Sequence, residues 1–172
     1  MKTKHIIMIS LCIVIILVAG CAARDRTDER QEAGDTIDVT VYFSDDQAMY
    51  VVPEVREMTV PEGASREEVI ESVVELLIEG PGEEGHYRTI PEDTKVRSVG
   101  IEGDVATVDF SQELRGVHGA TGEAMALNSL VNTLTEFDYI NEVFFTIEGE
   151  IVPLEHFVPD EPLTRNEDAI KE

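Results

Sequence analysis

Apolar and polar residues change their spacing several times along this chain, and each change marks an element. Ile37, Val39, Val41 and Phe43 alternate with Asp38, Thr40 and Tyr42, the period-two pattern of a half-buried strand. Ser44-Asp45-Asp46-Gln47 supplies turn chemistry. Two further extended pieces are expected at 48–52 and 55–60, interrupted by Pro53. Ser65 followed by Glu68 is a capping box, and Val69, Ile70, Val73, Val74, Leu76 and Leu77 then fall on one helical stripe. Gly80-Pro81 stops that helix. Residues 83–91 read as a loop. Val96–Ile101 and Val105–Phe110 read as strands joined at Glu102-Gly103-Asp104, a tight hairpin. A second helix is expected from about Thr121 to Phe137, burying Ala124, Leu127, Leu130, Val131 and Leu134. A strand follows at 141–147, with Val143, Phe145 and Ile147 on one side, then a last extended piece at 151–154. This order predicts an α+β domain over 37–165: one mixed sheet with two helices packed on one face. About 130 residues suffice to bury a core without a metal or a disulfide. The polar residues 166–172 read as a disordered tail.

The first twenty residues follow another logic. Lys2, Lys4 and His5 precede an apolar run from Ile6 to Ala19, too short to span a bilayer comfortably and suited to the core of an export signal. The run closes on Leu17-Val18-Ala19-Gly20-Cys21. This resembles a bacterial lipoprotein signal, with Val18 where leucine is commoner. The resemblance implies removal of 1–20 and a diacylglycerol on the sulfur of Cys21. Two long acyl chains, at about 0.8 kcal/mol per buried methylene, make such an anchor stable. Cys12 would leave with the signal, so no disulfide is expected. Residues 21–36 are polar, carry both signs of charge and read as a flexible tether. The expected location is the outer face of the cytoplasmic membrane.

The whole chain carries a formal charge of −23. Loss of Lys2 and Lys4 leaves 11 basic against 36 acidic side chains, or −25. That balance excludes a site built on nucleic-acid phosphates, which needs clustered Lys and Arg. It suits salt-rich surroundings, where repulsion within rows such as Glu71, Glu75 and Glu79 is screened.

Several stretches within 37–165 look like a GerMN domain, the module of GerM-type sporulation and germination lipoproteins. They are Val52-Pro53-Glu54-Val55-Arg56, Leu76-Leu77 with Gly80-Pro81, Ile90-Pro91-Glu92-Asp93-Thr94, the hairpin run 103–111, the helix run 130–137 and Glu161-Pro162-Leu163-Thr164-Arg165. The resemblance implies a fold related to ring-building modules of secretion systems. It implies envelope or sporulation proteins as partners and brings no catalytic residue set. Some members of that family hold two copies of the domain; this chain has room for one.

The candidate chemistry is thin. Asp109, Ser111, Glu113 and His118 lie within ten residues, but no strand–elbow–helix motif surrounds the serine, so a strand end capped by Asp109 and Ser111 is preferred to a hydrolytic pair. His86, His118 and His156 lack paired metal-ligand spacing, and no dedicated metal or cofactor site is expected. Asn128 and Asn132 share a face of the second helix, expected to be solvated, with a partner contact as the other reading. Arg56 and Arg165 are scarce positive charges expected to pair with local carboxylates, with an interface role as the other reading. The reading reached is a membrane-anchored, non-catalytic interaction lipoprotein. A lipoprotein that binds a small ligand or cell-wall fragment is the alternative, against which a single lobe of about 130 residues counts, because a closing cleft needs two lobes.

Overall fold

The computed structural model describes residues 34–171. The expected signal, Cys21 and the tether up to residue 33 lie outside the described residues. Six strands and two α-helices follow, with a short 3₁₀ turn at Gln112–Gly116 and another at Glu167–Ala169. The class is α+β, as expected, but the strands divide between two sheets.

Strands β1 (Asp35–Ser44) and β2 (Val51–Val60) form a long antiparallel hairpin. Residues 35 and 36, expected in the tether, already pair with Val60 and Thr59. β2 runs unbroken through Pro53, contrary to the expected interruption. The register explains this. Pro53 lies opposite Tyr42, and the N–H of Tyr42 points away from β2 to Thr133 Oγ1 at 3.0 Å. The pair is therefore a non-hydrogen-bonded one, and the missing proline N–H falls on the outer edge of β2, where proline is tolerated.

Helix α1 (Arg66–Glu79) starts on the predicted capping box: the Glu68 N–H donates to Ser65 Oγ at 3.2 Å and the Ser65 N–H to Glu68 at 2.7 Å. Its stripe of Ile70, Val73, Val74, Leu77 and Ile78 is buried. No basic residue sits in its last turn, so the C-terminal carbonyls are met from elsewhere. Arg88 donates to the Ile78 carbonyl and, at 2.7 Å, to that of Glu79, and Arg56 donates to that of Gly80 at 3.2 Å. Positive charge at a helix C-terminus is favourable. Gly80 has φ 95° and lies so close to Arg88 that a Cβ would stand 2.8 Å from its guanidinium.

The second sheet has the order β3-β4-β5-β6, from β3 (Val96–Glu102), β4 (Val105–Phe110), β5 (Glu142–Ile147) and β6 (Leu163–Thr164). The β3–β4 turn has Gly103 at φ 65° in its first central position, a type II′ hairpin. β4 and β5 are parallel, and helix α2 (Gly119–Leu134) lies in the crossover between them. Ala106, Val108 and Phe110 align with Val143, Phe145 and Ile147 on one buried face, and both helices cover that side of the core.

Helix α2 differs most from expectation. It ends at Leu134 rather than near Phe137, and Ala124 of the expected stripe is exposed. Its surroundings enclose it on most sides, so Glu123, Ser129, Asn132 and Thr133 are buried with the apolar residues. The expected strand at 151–154 does not form. Glu148 and Gly149, at φ 55° and 78°, turn the chain after β5, Pro153 breaks the pattern, and the edge of β5 pairs with Leu163–Thr164 instead. Nor is 166–171 a disordered tail. The Lys171 N–H donates to the Val51 carbonyl at 2.9 Å, and Ala169 is buried.

Candidate functional site

Three of the four predicted binding residues meet at one place, where the C-terminal segment crosses α2 and the hairpin. Asn132 is fully buried. Its amide donates to the Asn166 carbonyl at 3.0 Å and accepts from the Asn166 N–H at 2.9 Å, as a neighbouring strand would. Asn128 accepts from the Asn166 side chain at 3.1 Å. Neither asparagine has the solvated role expected for this face; Asn132 is enclosed and Asn128 is half-buried. The reason is the C-terminal segment, which docks over this face of α2 through Asn166.

Arg165 closes the same cluster. It donates to Glu167 at 2.6 Å, to Glu136 at 2.8 Å, to the Asn132 carbonyl at 2.9 Å and to the Tyr42 hydroxyl at 3.0 Å. The Tyr42 hydroxyl donates in turn to Glu136 at 2.7 Å. Burial and the bond to Glu136 push the Tyr42 hydroxyl up, with Arg165 opposing. Burial alone would lower Arg165, but its bonds to Glu167 and Tyr42 outweigh that and raise it. The guanidinium also lies 5.5 Å from the centre of the Tyr42 ring.

Arg56 belongs to a different cluster, centred on the buried carboxylate of Glu54. Glu54 accepts from the Gly82 N–H at 2.9 Å, the Glu83 N–H at 3.2 Å and Arg56 at 3.0 Å, with His86 Nδ1 at 3.1 Å. Burial alone would raise this carboxyl. The Gly82 N–H, the His86 ring, the Glu83 N–H and Arg56 together hold it below the usual range. Both arginines are thus paired with carboxylates, as their scarcity suggested.

Ser111 and His118 are not brought together. The Ser111 hydroxyl accepts from the Lys95 N–H at 2.9 Å, while His118 precedes α2 without capping it through its side chain. Asp109 is held by the Thr146 hydroxyl, the Gly149 N–H and Arg97, each at 2.7 Å. Burial would raise its carboxyl, but the Gly149, Thr146 and Arg97 contacts lower it. Among the described residues the groups most suited to chemistry are thus bonded into the fold. A cleft of about 220 Å³ between β2 and α1 is lined by Met58, Val60, Glu68 and Val69, and one of about 320 Å³ by Asn128, Val131, Leu163 and Asn166. The exposed large apolar side chains include Met49, Tyr50 and Tyr87, which flank the hairpin tip.

Taken together, these features define a small α+β module with a long hairpin packed into the core, two helices on one face of a mixed sheet, and buried polar clusters that fasten loops and the C-terminal segment. The family model that matches it, over residues 40–153, is Germane, described as sporulation and spore germination, and the chain belongs to that family.

Solved structures agree. The tandem GerMN domains of the sporulation protein GerM from Bacillus subtilis match at TM-score 0.61 and 26% identity, covering 76% of this chain and 45% of that one. This chain therefore spans about half the length of that tandem structure. A Clostridium perfringens protein described as a candidate lipoprotein matches at TM-score 0.55 and 27% identity, covering 75% and 87%. The first GerMN domain of B. subtilis GerM shares the fold at TM-score 0.52 and 22% identity, covering 78% and 96%. Among curated proteins no sequence matches the chain.

Proposed function

We propose that this protein is a lipid-anchored lipoprotein on the outer face of the cytoplasmic membrane, and that its GerMN-type domain is a non-catalytic contact module for envelope proteins in sporulation or spore germination. Membership of the Germane family over residues 40–153 carries this reading. The basic head, the short apolar run and Cys21 support the anchor, as does the likeness to a C. perfringens protein described as a candidate lipoprotein. Among the described residues no helix is long and apolar enough to cross a membrane. The mechanism is positional. The acyl chains fix the domain at the surface, and the stretch after Cys21 sets its reach and raises its local concentration near membrane partners.

The test is made in cells fed an alkyne-bearing fatty acid. The protein should take the label and sediment with membranes, and Cys21→Ala should lose both properties. Cross-linking in the same cells should capture an envelope protein. An unlabelled, soluble wild type would remove the anchor from this reading, and substrate turnover by the purified protein would remove the non-catalytic role.

A further inference from the structure

Three carboxylates of the described residues are buried: Asp45, Glu54 and Glu123. Two of them hold a permanent cation. Asp45 lies 3.2 Å from Lys171 Nζ, and Glu54 lies 3.0 Å from Arg56. Glu123, near the start of α2 and 1% exposed, pairs with neither a lysine nor an arginine among the described residues. Both its oxygens face one donor, the His156 N–H, at 2.9 and 3.1 Å. A buried carboxylate so sparsely compensated is costly, because burial removes water from a full charge. What stands beside it is an imidazole and a second carboxylate.

We propose that Glu123, Glu155 and His156 bind one divalent transition-metal cation, with Zn²⁺ the best match. Their ligand atoms all lie within 4.8 Å of one another. His156 Nδ1 stands 3.6 Å from Glu123 Oε1. That is too long for a hydrogen bond. It is close to the roughly 3.4 Å edge between nitrogen and oxygen ligands bound at about 2.0–2.2 Å in a tetrahedral zinc site. The donor set also discriminates. One imidazole nitrogen with two carboxylates suits zinc, whereas calcium and magnesium favour oxygen donors alone. Two negative ligands neutralise a dication, and the dication supplies the positive charge that Glu123 otherwise lacks.

The elements make this placement possible without paired spacing in the sequence. Glu123 is fixed by the rigid helix. Glu155 and His156 arrive on the irregular segment after β5, where Phe157 stacks on Phe145 with ring centres 6.2 Å apart. Glu155 is exposed, with one oxygen 3.4 Å from the Gly119 N–H at the start of α2. It also borders a cleft of about 260 Å³ shared with Arg115 and His118. Three protein ligands leave one position for water.

The experiment uses the full chain in detergent, stripped of metal and with its thiols blocked by N-ethylmaleimide, so that Cys12 and Cys21 contribute nothing. ZnCl₂ is titrated calorimetrically in 150 mM NaCl, and thermal unfolding is followed with and without the metal. One saturable site and a raised melting temperature are expected, with MgCl₂ at the same concentration giving neither. His156→Ala removes a half-exposed ring and should weaken binding by about tenfold or more. Glu123→Gln, checked by circular dichroism, should abolish zinc stabilisation while leaving the metal-free protein at least as stable as the parent. Unsaturable binding, equal binding by His156→Ala, or equal stabilisation by magnesium would overturn the site in favour of diffuse attraction to an acidic surface. Loss of metal-free stability in Glu123→Gln would overturn it in favour of a purely structural tie.

Discussion

Replacing Glu54 by Ala tests whether the loop after α1 is held by a buried charge. The carboxylate satisfies the N–H groups of Gly82 and Glu83, contacts the His86 ring and pairs with Arg56, which itself reaches the Gly80 carbonyl. Hydrogen bonds to a charged group contribute about 1.5–3 kcal/mol each. They do not simply add, because Glu83 is exposed and water replaces the lost acceptor there. Gly82 is exposed as well, so the uncompensated losses are about two, those of the half-buried Arg56 and His86. The expected loss is about 3–5 kcal/mol, the range for breaking one side of a buried ion pair. Against a typical total of about 5–15 kcal/mol this is a large fraction. Urea unfolding followed by circular dichroism gives the number, and amide exchange at Gly82 and Glu83 gives the location. Glu54→Gln keeps the volume and one carbonyl oxygen, so it should lose less. The reasoning fails if the alanine variant stays within about 0.5 kcal/mol of the parent, the band of ordinary surface changes. It also fails if the glutamine variant is as damaged as the alanine, because volume and one acceptor would then count for nothing.

Asn132→Ala should lose about 2–3 kcal/mol, since two backbone groups of Asn166 lose a buried partner, and amide exchange should quicken across 166–171; Asn128→Ala, with one exposed bond, should lose under about 0.5 kcal/mol. Acid should unfold the domain through Glu54, Asp45 and Asp109, whose carboxyls all lie below their ordinary values in the fold. For Asp45 the Met49 N–H is the largest cause. Because the unfolded chain takes up these protons first, at about pH 3.9–4.3, this stability is complete above that range and is lost as pH falls through the lowered folded values. Melting temperatures from pH 7 to pH 2.5 should show a steep fall below about pH 4, shallower in Glu54→Gln and Asp45→Asn.

The parts of the fold legible in the sequence are those where local pattern and tertiary role agree. The capping box at Ser65, the Gly80 stop, the Gly103 turn and the alternation in β1, β4 and β5 all state locally what the fold requires. What escaped was set by distant neighbours. Pro53 looked like a break, but register alone decides whether its missing N–H matters. Asn132 looked like a solvated helix residue, because the segment that covers it lies 34 positions away. Glu123 gave no signal, since its neighbours Glu155 and His156 arrive from a stretch whose proline hid its path. One cue was available: a serine, an asparagine and a threonine at 129, 132 and 133 lie close together in a helix otherwise rich in Ala and Leu, and they mark the sides on which other chain segments lie.

The hairpin also works as a stand-off. The described chain enters at Asp35, at the base of β1, and its first turn comes ten residues later beyond Ser44, about 30 Å away at the usual rise per residue. Lys171 ties the C-terminal segment to that far end through Asp45 and the Val51 carbonyl, and Val39, Val41 and Phe43 pack β1 into the core, so the hairpin has no hinge of its own. Whatever grips the molecule at residue 34 therefore holds Met49 and Tyr50 at a fixed remove, the way a bracket keeps a hook clear of its wall.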